Sequence, residues 1–369
     1  MFFVTEDWYF CSHRLPIASA AIKKGFEVSV ITRVRDHGQQ IQEAGIKLIP
    51  LEISRGSLNL ITEVRVIKNI ISIYAAEKPD IVHHVAMKPV IYGSIAAKLL
   101  KVNHIVNALP GLGFLFSTSS LKTRTIRPMI KLAFRMLLGG SGNQVILQNP
   151  DDVRMMCDTH LINPNSITLI RGSGVDIRTY KMQGEIEDLP IVMLASRMLW
   201  DKGVGEFVKA AKIINRNGRI ARFVLVGDND KENPRSISRH QLQSWHDDRV
   251  LEWWGYKDNM PEILAKASIV CLPSYREGVP KVLIEAAACG KPLIATDAPG
   301  CREIVKQGIN GFTVPIKDPA MLANAINKLI DSSELRRVMG MEGRKLVEEE
   351  FSLDRVVRET LAIYKQMLA

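Results

Sequence analysis

The sequence predicts an α/β fold of two doubly wound, Rossmann-like domains facing a central crevice, and three observations predict it. Short runs rich in Val and Ile alternate with helix-spaced segments along the whole chain. The runs are apolar throughout rather than alternating, which marks strands buried on both faces of a parallel sheet. A polar, acidic stretch, "YKMQGEIEDLP" at 180–190, separates two series of such runs.

In chain order the first series reads "FFVT", "EVSVIT", "KLIPL", "DIVHHV", "HIVNAL" and "QVILQ". The second reads "PIVMLA", "FVLVG", "VLEWWG", "SIVCLP", "PLIAT" and "GFTV". Each strand candidate is followed by a segment with helical apolar spacing. The expected organisation is an N-terminal domain at 1–180, a C-terminal domain at 181–350, and a last helix at 351–369 packing back towards the first domain. In such folds ligands bind beyond the carboxyl ends of the strands.

Composition narrows the function classes. With 369 residues and 46% hydrophobic content, the chain has enough apolar material for two ordinary cores. Five scattered cysteines without a C-x-x-C pair indicate neither a disulfide framework nor a zinc site, so a reducing, cytoplasmic setting is expected. No apolar run approaches the ~20 residues of a membrane span, and "MFFVTEDWYF" lacks the layout of a signal peptide. The formal charge of +10 favours an anionic partner. Nucleic acid is not expected, because no segment interleaves aromatic and basic residues.

The most informative stretch is "YREGVPKVLIEAAACGKP" at 275–292. The strand "SIVCLPS" leads through "YREG" into a helix with Pro280 in its first turn and Gly290 closing it. Glu277 therefore lies just ahead of a helix N-terminus, where amide groups attract anions. Glu285 sits among Val282, Leu283, Ile284, Ala286, Ala287 and Ala288, where a charge is costly unless something binds it. Pro280 and Glu285 are roughly 7 Å apart along a helix axis. Two carboxylates so placed can grip hydroxyls at both ends of a ligand whose middle is anionic, which is the layout of a nucleotide sugar.

A diphosphate also needs cations. The strand "PIVMLAS" runs into "RMLWDKG", placing Arg197 at the strand exit and Lys202 beside Gly203 where a helix begins. Arginine binds phosphate oxygens in pairs and lysine adds a compact point charge.

With acids and cations together, the sequence resembles glycosyltransferase family 4, retaining enzymes of GT-B architecture, and among them bacterial enzymes that build surface polysaccharides or lipid-linked oligosaccharides. The matching pieces are "SRMLWDKG", "LVGD", the run from "WWGYKD" to "CREIV", and "NGFTV", with "SHRLPIA", "LQNPDD" and "GSGVD" in the first half. The resemblance implies an acceptor-binding first domain and a nucleotide-sugar-binding second domain. It implies that Arg197 and Lys202 hold the donor diphosphate, that Glu277 meets the transferred sugar, and that Glu285 takes the ribose hydroxyls. The amides of Gly278 and Val279 then touch the donor, and Tyr256 in "GYKD" falls beside the nucleotide base.

Two departures from the family pattern lie in the first half. Where many relatives carry a glycine-rich loop after the first strand, this chain reads "TEDWYFCSHR". Where many carry a histidine after a later strand, "VNALPGLG" offers Pro110. Gly111 and Gly113 allow backbone to approach a ligand there. His13, read as lying in the loop that opens the first helix, is the substitute for a polar contact near the reacting centre.

Other features read as structural. "DND" at 228–230 resembles a metal-binding D-x-D but follows "FVLVG", where the family has a turn. His83 and His84 are adjacent on a strand and point to opposite faces. Trp253 and Trp254 read as packing. The basic excess concentrates in "TRTIRPMIKLAFRMLLGG", where a helix from Pro128 spaces Arg127, Lys131 and Arg135 every four residues beside Ile130, Phe134, Leu137 and Leu138. That stripe suits either an anionic membrane face or an ordinary basic surface.

The expected function is retaining transfer of a sugar from a nucleotide diphosphate donor, a UDP-linked hexose or N-acetylhexosamine, to a hydroxyl of a lipid-linked or glycan acceptor in cell-surface glycan synthesis. No metal or cofactor is expected, and the expected location is cytoplasmic, peripheral on the inner face of the membrane. The alternatives are a GT-B nucleotide-sugar epimerase and a nucleotide-sugar-binding protein without catalysis.

Overall fold

The structure is a computed structural model that describes residues 1–56, 59–112, 121–140, 142–184, 189–218 and 221–369, with the side chains of 121–127 outside that description. The chain forms two units: residues 1–173 with 353–369, and residues 174–352.

Unit 1 is built on a seven-stranded sheet in the order β3-β2-β1-β4-β5-β6-β7, parallel throughout. Its strands are β1 (Phe2–Glu6), β2 (Ser29–Arg33), β3 (Lys47–Pro50), β4 (Ile81–Val85), β5 (His104–Leu109), β6 (Asn143–Leu147) and β7 (Ile167–Leu169). The expected pattern of strands apolar on both faces is realised in the central strands, whereas the edge strands β3 and β7 have no fully buried residue. Phe2 and Val4 of β1, with Val30 of β2, enter one core, while Phe3 and Ile31 enter the core on the other face. Strand β7 escaped prediction because three residues at a sheet edge give too short a pattern.

β1 passes directly into α1 (Asp7–His13), followed by α2 (Leu15–Ile22). The helix Leu353–Leu368 belongs to this unit and packs on α2. Its Val356, Leu361, Ile363 and Tyr364 are buried in the core that contains Phe2 and Val4. His83 and His84 do point to opposite faces: His83 stacks on Phe2 and meets the Tyr364 hydroxyl, whereas His84 lies between Tyr74 and Asn107.

The basic helix corrects two expectations. It spans Leu121–Leu137 and begins a turn or more before Pro128, which lies inside it. Phe134 and Leu138 are fully buried, and Ile130 packs with them on the core side. The apolar residues that face outward are instead Met129, Leu132 and Met136. Period 3.6 brings residues 130, 134 and 137 onto one face, and that face is claimed by the core. Arg135 is exposed and Lys131 half-buried, while the Arg127 side chain lies outside the described residues.

Unit 2 carries a six-stranded parallel sheet in the order β10-β9-β8-β11-β12-β13. Its strands are β8 (Ile191–Ala195), β9 (Arg222–Val226), β10 (Glu252–Trp253), β11 (Ile269–Leu272), β12 (Leu293–Thr296) and β13 (Gly311–Val314). Met193 and Ala195 face one core, Val192 and Leu194 the other. The segment from Val175 to Tyr180 is already part of this unit. The Val175 amide donates to the Phe351 carbonyl, and the Arg344 guanidinium donates to the carbonyls of Ile177, Tyr180 and Ala288. Of the polar stretch at 180–190, residues 185–188 lie outside the described residues. Among the described residues no helix is long and apolar enough to cross a membrane.

Candidate active site

The strand order of unit 2 reverses between β8 and β11, so the loops leaving these two neighbours diverge from one point, where doubly wound sheets bind ligands. The loop after β8 carries Arg197, then a 3-10 turn Trp200–Lys202 ending at Gly203. The loop after β11 carries Ser274 to Pro280 and enters the helix Lys281–Ala288. Pro280 is the N-cap of this helix rather than part of its first turn, and no side chain caps it.

The two loops are held together by backbone. The Asp201 carbonyl accepts from the Tyr275 amide at 3.0 Å and from the Ser274 hydroxyl at 3.1 Å. Gly203 adopts φ +74°, and a Cβ there would fall 2.0 Å from the Pro273 carbonyl oxygen, so only glycine permits the approach. On the far side of the β11 loop, Gly300 has φ +80° and lies so near the Gly278 carbonyl that a Cβ would come within 2.2 Å of it. The Glu277 amide in turn donates to the Pro299 carbonyl.

This frame brings Lys202 and Glu277 together: Nζ and Oε1 are 2.5 Å apart, with side chains 20% and 11% exposed. Arg197 lies nearby in the same loop, its Nη1 donating to Asp230 Oδ2 at 2.8 Å. Asp228 is bound by Arg239 through two guanidinium nitrogens, which holds its carboxyl below the usual range. The two acids of "DND" are thus engaged by arginines. Among the described residues no group of three or more His, Cys, Asp or Glu side chains is arranged to hold a metal.

Glu285 is buried, as its apolar neighbours require, and two groups bind it. The Tyr180 hydroxyl donates to Oε1 at 2.7 Å, and Lys281 Nζ lies 3.1 Å from the same oxygen. Burial, and then the Glu285 charge, push the Tyr180 phenol well above its ordinary value. Tyr180 is a site residue that the sequence did not disclose.

The remaining candidates are distributed as follows. Gly278 and Val279 are buried in the β11 loop beside Glu277. Tyr256 follows β10 and is 65% exposed, an aromatic face open to solvent. His13 and Gly111 belong to unit 1. His13 is not in a loop but is the last residue of α1, stacked on Tyr9 at 4.1 Å with Nδ1 against the Ser12 hydroxyl. The expectation of a loop failed because β1 needs no glycine turn: α1 starts at Asp7, whose carboxylate accepts the Arg35 and His37 amides. Gly111 is exposed after β5, and Gly113 lies outside the described residues.

Family models match both units: "Glycosyl transferase 4-like" over residues 1–149 and "Glycosyl transferases group 1" over 176–346. Among curated proteins, the chain is 29% identical over 88% of its length to N,N'-diacetylbacillosaminyl-diphospho-undecaprenol alpha-1,3-N-acetylgalactosaminyltransferase of Campylobacter jejuni, covering 87% of that protein. It is 27% identical over 84% of its length to UDP-Gal:alpha-D-GlcNAc-diphosphoundecaprenol alpha-1,3-galactosyltransferase of Escherichia coli, covering 81% of it. Among solved structures, Anabaena HepE in complex with UDP and glucose superposes with a TM-score of 0.79 at 17% identity, covering 99% of this chain and 98% of that one. Sucrose-phosphate synthase of Thermosynechococcus elongatus gives 0.79 at 21% identity, over 95% and 92% of the two chains.

Proposed function

This chain belongs to the family-4 glycosyltransferases of GT-B fold, and we propose that it moves a sugar from a UDP-linked donor to a hydroxyl of a lipid-diphosphate-linked acceptor, with retention at the anomeric carbon, in cell-surface glycan synthesis. The observation that carries this reading is the Lys202–Glu277 pair at the switch point of unit 2, ahead of a helix N-terminus without a side-chain cap. The names of the Campylobacter jejuni and Escherichia coli relatives supply the acceptor class, a sugar on diphospho-undecaprenol.

In this reading the leaving group is a nucleoside diphosphate, and stabilising its growing charge is the main catalytic task. Arg197 and Lys202 take the diphosphate, aided by the helix N-terminus and the Gly278 and Val279 amides. Lys202 exchanges Glu277 for phosphate oxygens, and the released Glu277 carboxylate accepts from hydroxyls of the transferred sugar. Glu285 accepts from the ribose, and Tyr256 lies against the base. The chemistry requires neither metal nor cofactor, because fixed cations serve the leaving group.

The enzyme works at the inner face of the membrane, where its acceptor is anchored. The outward row Met129, Leu132 and Met136, 71%, 59% and 66% exposed, lies on the helix of Arg127, Lys131 and Arg135 and supports that placement.

A thermal-shift screen of UDP- and GDP-sugars tests the donor assignment. A ligand at 100 times its dissociation constant stabilises by about 2.7 kcal/mol. UDP-sugars are expected to shift the transition, and a response to GDP-sugars alone would overturn the assignment.

A further inference from the structure

The segment "GVDIRTY" at 174–180 opens unit 2 and is built as a rigid turn that ends at the Glu285 carboxylate. Asp176 organises it: its carbonyl accepts from the Thr179 and Tyr180 amides, and its carboxylate from the Arg178 amide and the Thr179 hydroxyl. The turn is also tied down from outside. The Val175 amide donates to the Phe351 carbonyl, and the Arg344 guanidinium, on the helix Ser333–Glu350, donates to the carbonyls of Ile177, Tyr180 and Ala288. Ala288 is the last residue of the helix Lys281–Ala288, so one guanidinium joins the turn to the helix that carries Glu285.

The two donors on Glu285 meet the same oxygen. The Tyr180 hydroxyl is 2.7 Å from Oε1, and Lys281 Nζ is 3.1 Å from it. A carboxylate oxygen accepts through two lone pairs, and both of those on Oε1 are taken. Burial and the Glu285 charge hold the Tyr180 phenol well above its ordinary pKa, so it stays protonated and donates. Among the described residues no other donor reaches the Glu285 side chain, which keeps 7% of its surface open. Its acceptor capacity therefore rests on Oε2. Lys281 also balances the charge, so the site suits neutral donors rather than a second cation. Two neighbouring hydroxyls of a sugar ring match the two lone pairs that remain.

We infer that Tyr180 and Lys281 are positioning residues, which together fix Oε1 of Glu285 and present Oε2 to the vicinal hydroxyls of the nucleotide's ribose. The inference rests on the role of Glu285 proposed above and adds a source of selectivity, for ribonucleotides over nucleotides without the diol. The physical reason is preorganisation. The terminal torsion of a glutamate is broad and roughly two-fold, so a carboxylate held by no donor must be ordered when the ligand binds. Here a rigid turn and the first residue of the same helix have ordered it beforehand.

The full chain and its Tyr180→Phe, Lys281→Met and Glu285→Gln variants are titrated calorimetrically with UDP and 2′,3′-dideoxy-UDP, and with GDP and its dideoxy counterpart. The readout is the ratio of dissociation constants within each pair, which a loss of stability alone leaves unmoved. In the wild type, removing the diol should raise the dissociation constant on the order of 10- to 100-fold, the scale of hydrogen bonds to a charged acceptor. In Tyr180→Phe and Lys281→Met that ratio should shrink by about 3- to 10-fold, the cost of ordering one side chain on binding. The dideoxy nucleotides should bind Tyr180→Phe as they bind the wild type, and Glu285→Gln should remove most of the ratio. Equal losses for both members of a pair would make Tyr180 and Lys281 structural contacts only, and tighter UDP in either variant would show that they compete with the ligand for the carboxylate. Either result overturns the inference. A wild type indifferent to the diol overturns it together with the ribose role of Glu285. If Tyr180→Phe does not fold, Lys281→Met reads the same oxygen. Which pair binds, UDP or GDP, tests the donor assignment separately, because the ratio is read within each pair.

Discussion

Lys202 Nζ and Glu277 Oε1 meet at 2.5 Å and thereby join the loop after β8 to the loop after β11 across the switch point of the second sheet. Each partner neutralises the other while both remain partly open to solvent. In the reaction proposed above, a diphosphate competes for the cation, and its arrival leaves the carboxylate to accept hydroxyl groups. Without ligand the pair holds the two loops together.

The first prediction follows from that competition. Lys202→Ala or Arg197→Ala should lower turnover by roughly 100-fold or more, the scale of losing one donor that stabilises developing charge. Initial rates at saturating donor check this, and near wild-type turnover in both variants would contradict the diphosphate assignment.

Glu285 and Tyr180 form the second test. Glu285→Gln should weaken free UDP by about 10-fold or more, since a charge-assisted hydrogen bond contributes about 1.5–3 kcal/mol. Tyr180→Phe removes one of the donors that binds the buried carboxylate and should lower unfolding stability by about 1–3 kcal/mol. Calorimetric titration and urea unfolding read the two effects independently, and unchanged values would remove both roles.

Gly300 supplies the third. Its φ of +80° disfavours a side chain, and a Cβ would fall 2.2 Å from the Gly278 carbonyl oxygen. Gly300→Ala should lose at least about 1–2 kcal/mol of stability from the backbone conformation alone. It should also lower turnover, because the displaced carbonyl belongs to the loop that aims Glu277. Gly218, at φ +70° with open space around it, is the control: its alanine variant should lose stability without losing turnover.

Stability should also depend on pH through His84. Its ring lies between the Tyr74 hydroxyl and the Asn107 side-chain oxygen, and burial lowers its pKa from 6.5 to about 4. Between these values the unfolded chain binds a proton that the folded chain refuses. The stabilisation is therefore complete above pH 6.5 and declines as pH falls towards 4. Between pH 7.5 and pH 5 this residue alone should account for about 2 kcal/mol. Urea unfolding at the two pH values should show at least that loss, and His84→Asn should reduce it by a similar amount.

Membrane association is tested by vesicle sedimentation. Reversing Arg127, Lys131 and Arg135 to Glu should weaken binding to anionic vesicles more than 100-fold, because each basic residue near such a surface contributes about 1 kcal/mol. Changing Met129, Leu132 and Met136 to Gln should weaken it further while sparing UDP binding. Equal sedimentation of wild type and variants would make this helix an ordinary domain element.

The sequence disclosed most of the fold because both sheets are parallel and covered on both faces, so each central strand is an uninterrupted apolar run such as "IVMLA" or "IVCLP". It disclosed the Lys202 and Glu277 loops because strand, glycine and helix start follow one another within a few residues. It could not disclose Tyr180 on Glu285, a contact between residues 105 apart that depends on Arg344 holding the Tyr180 carbonyl. Nor could it separate the two apolar faces of the helix Leu121–Leu137, since both repeat at helical spacing and only packing decides which is buried.

The most direct test of the account is the reaction itself. The purified protein is incubated with UDP-sugars and a sugar-linked isoprenoid diphosphate, the product is identified by mass spectrometry, and its anomeric configuration is read by NMR. The account predicts an acceptor one sugar longer, with the donor's anomeric configuration kept, UDP released in equal amount, and almost no product from Lys202→Ala. Inversion of the donor sugar without any acceptor, or extension that proceeds equally well in Lys202→Ala, would contradict it.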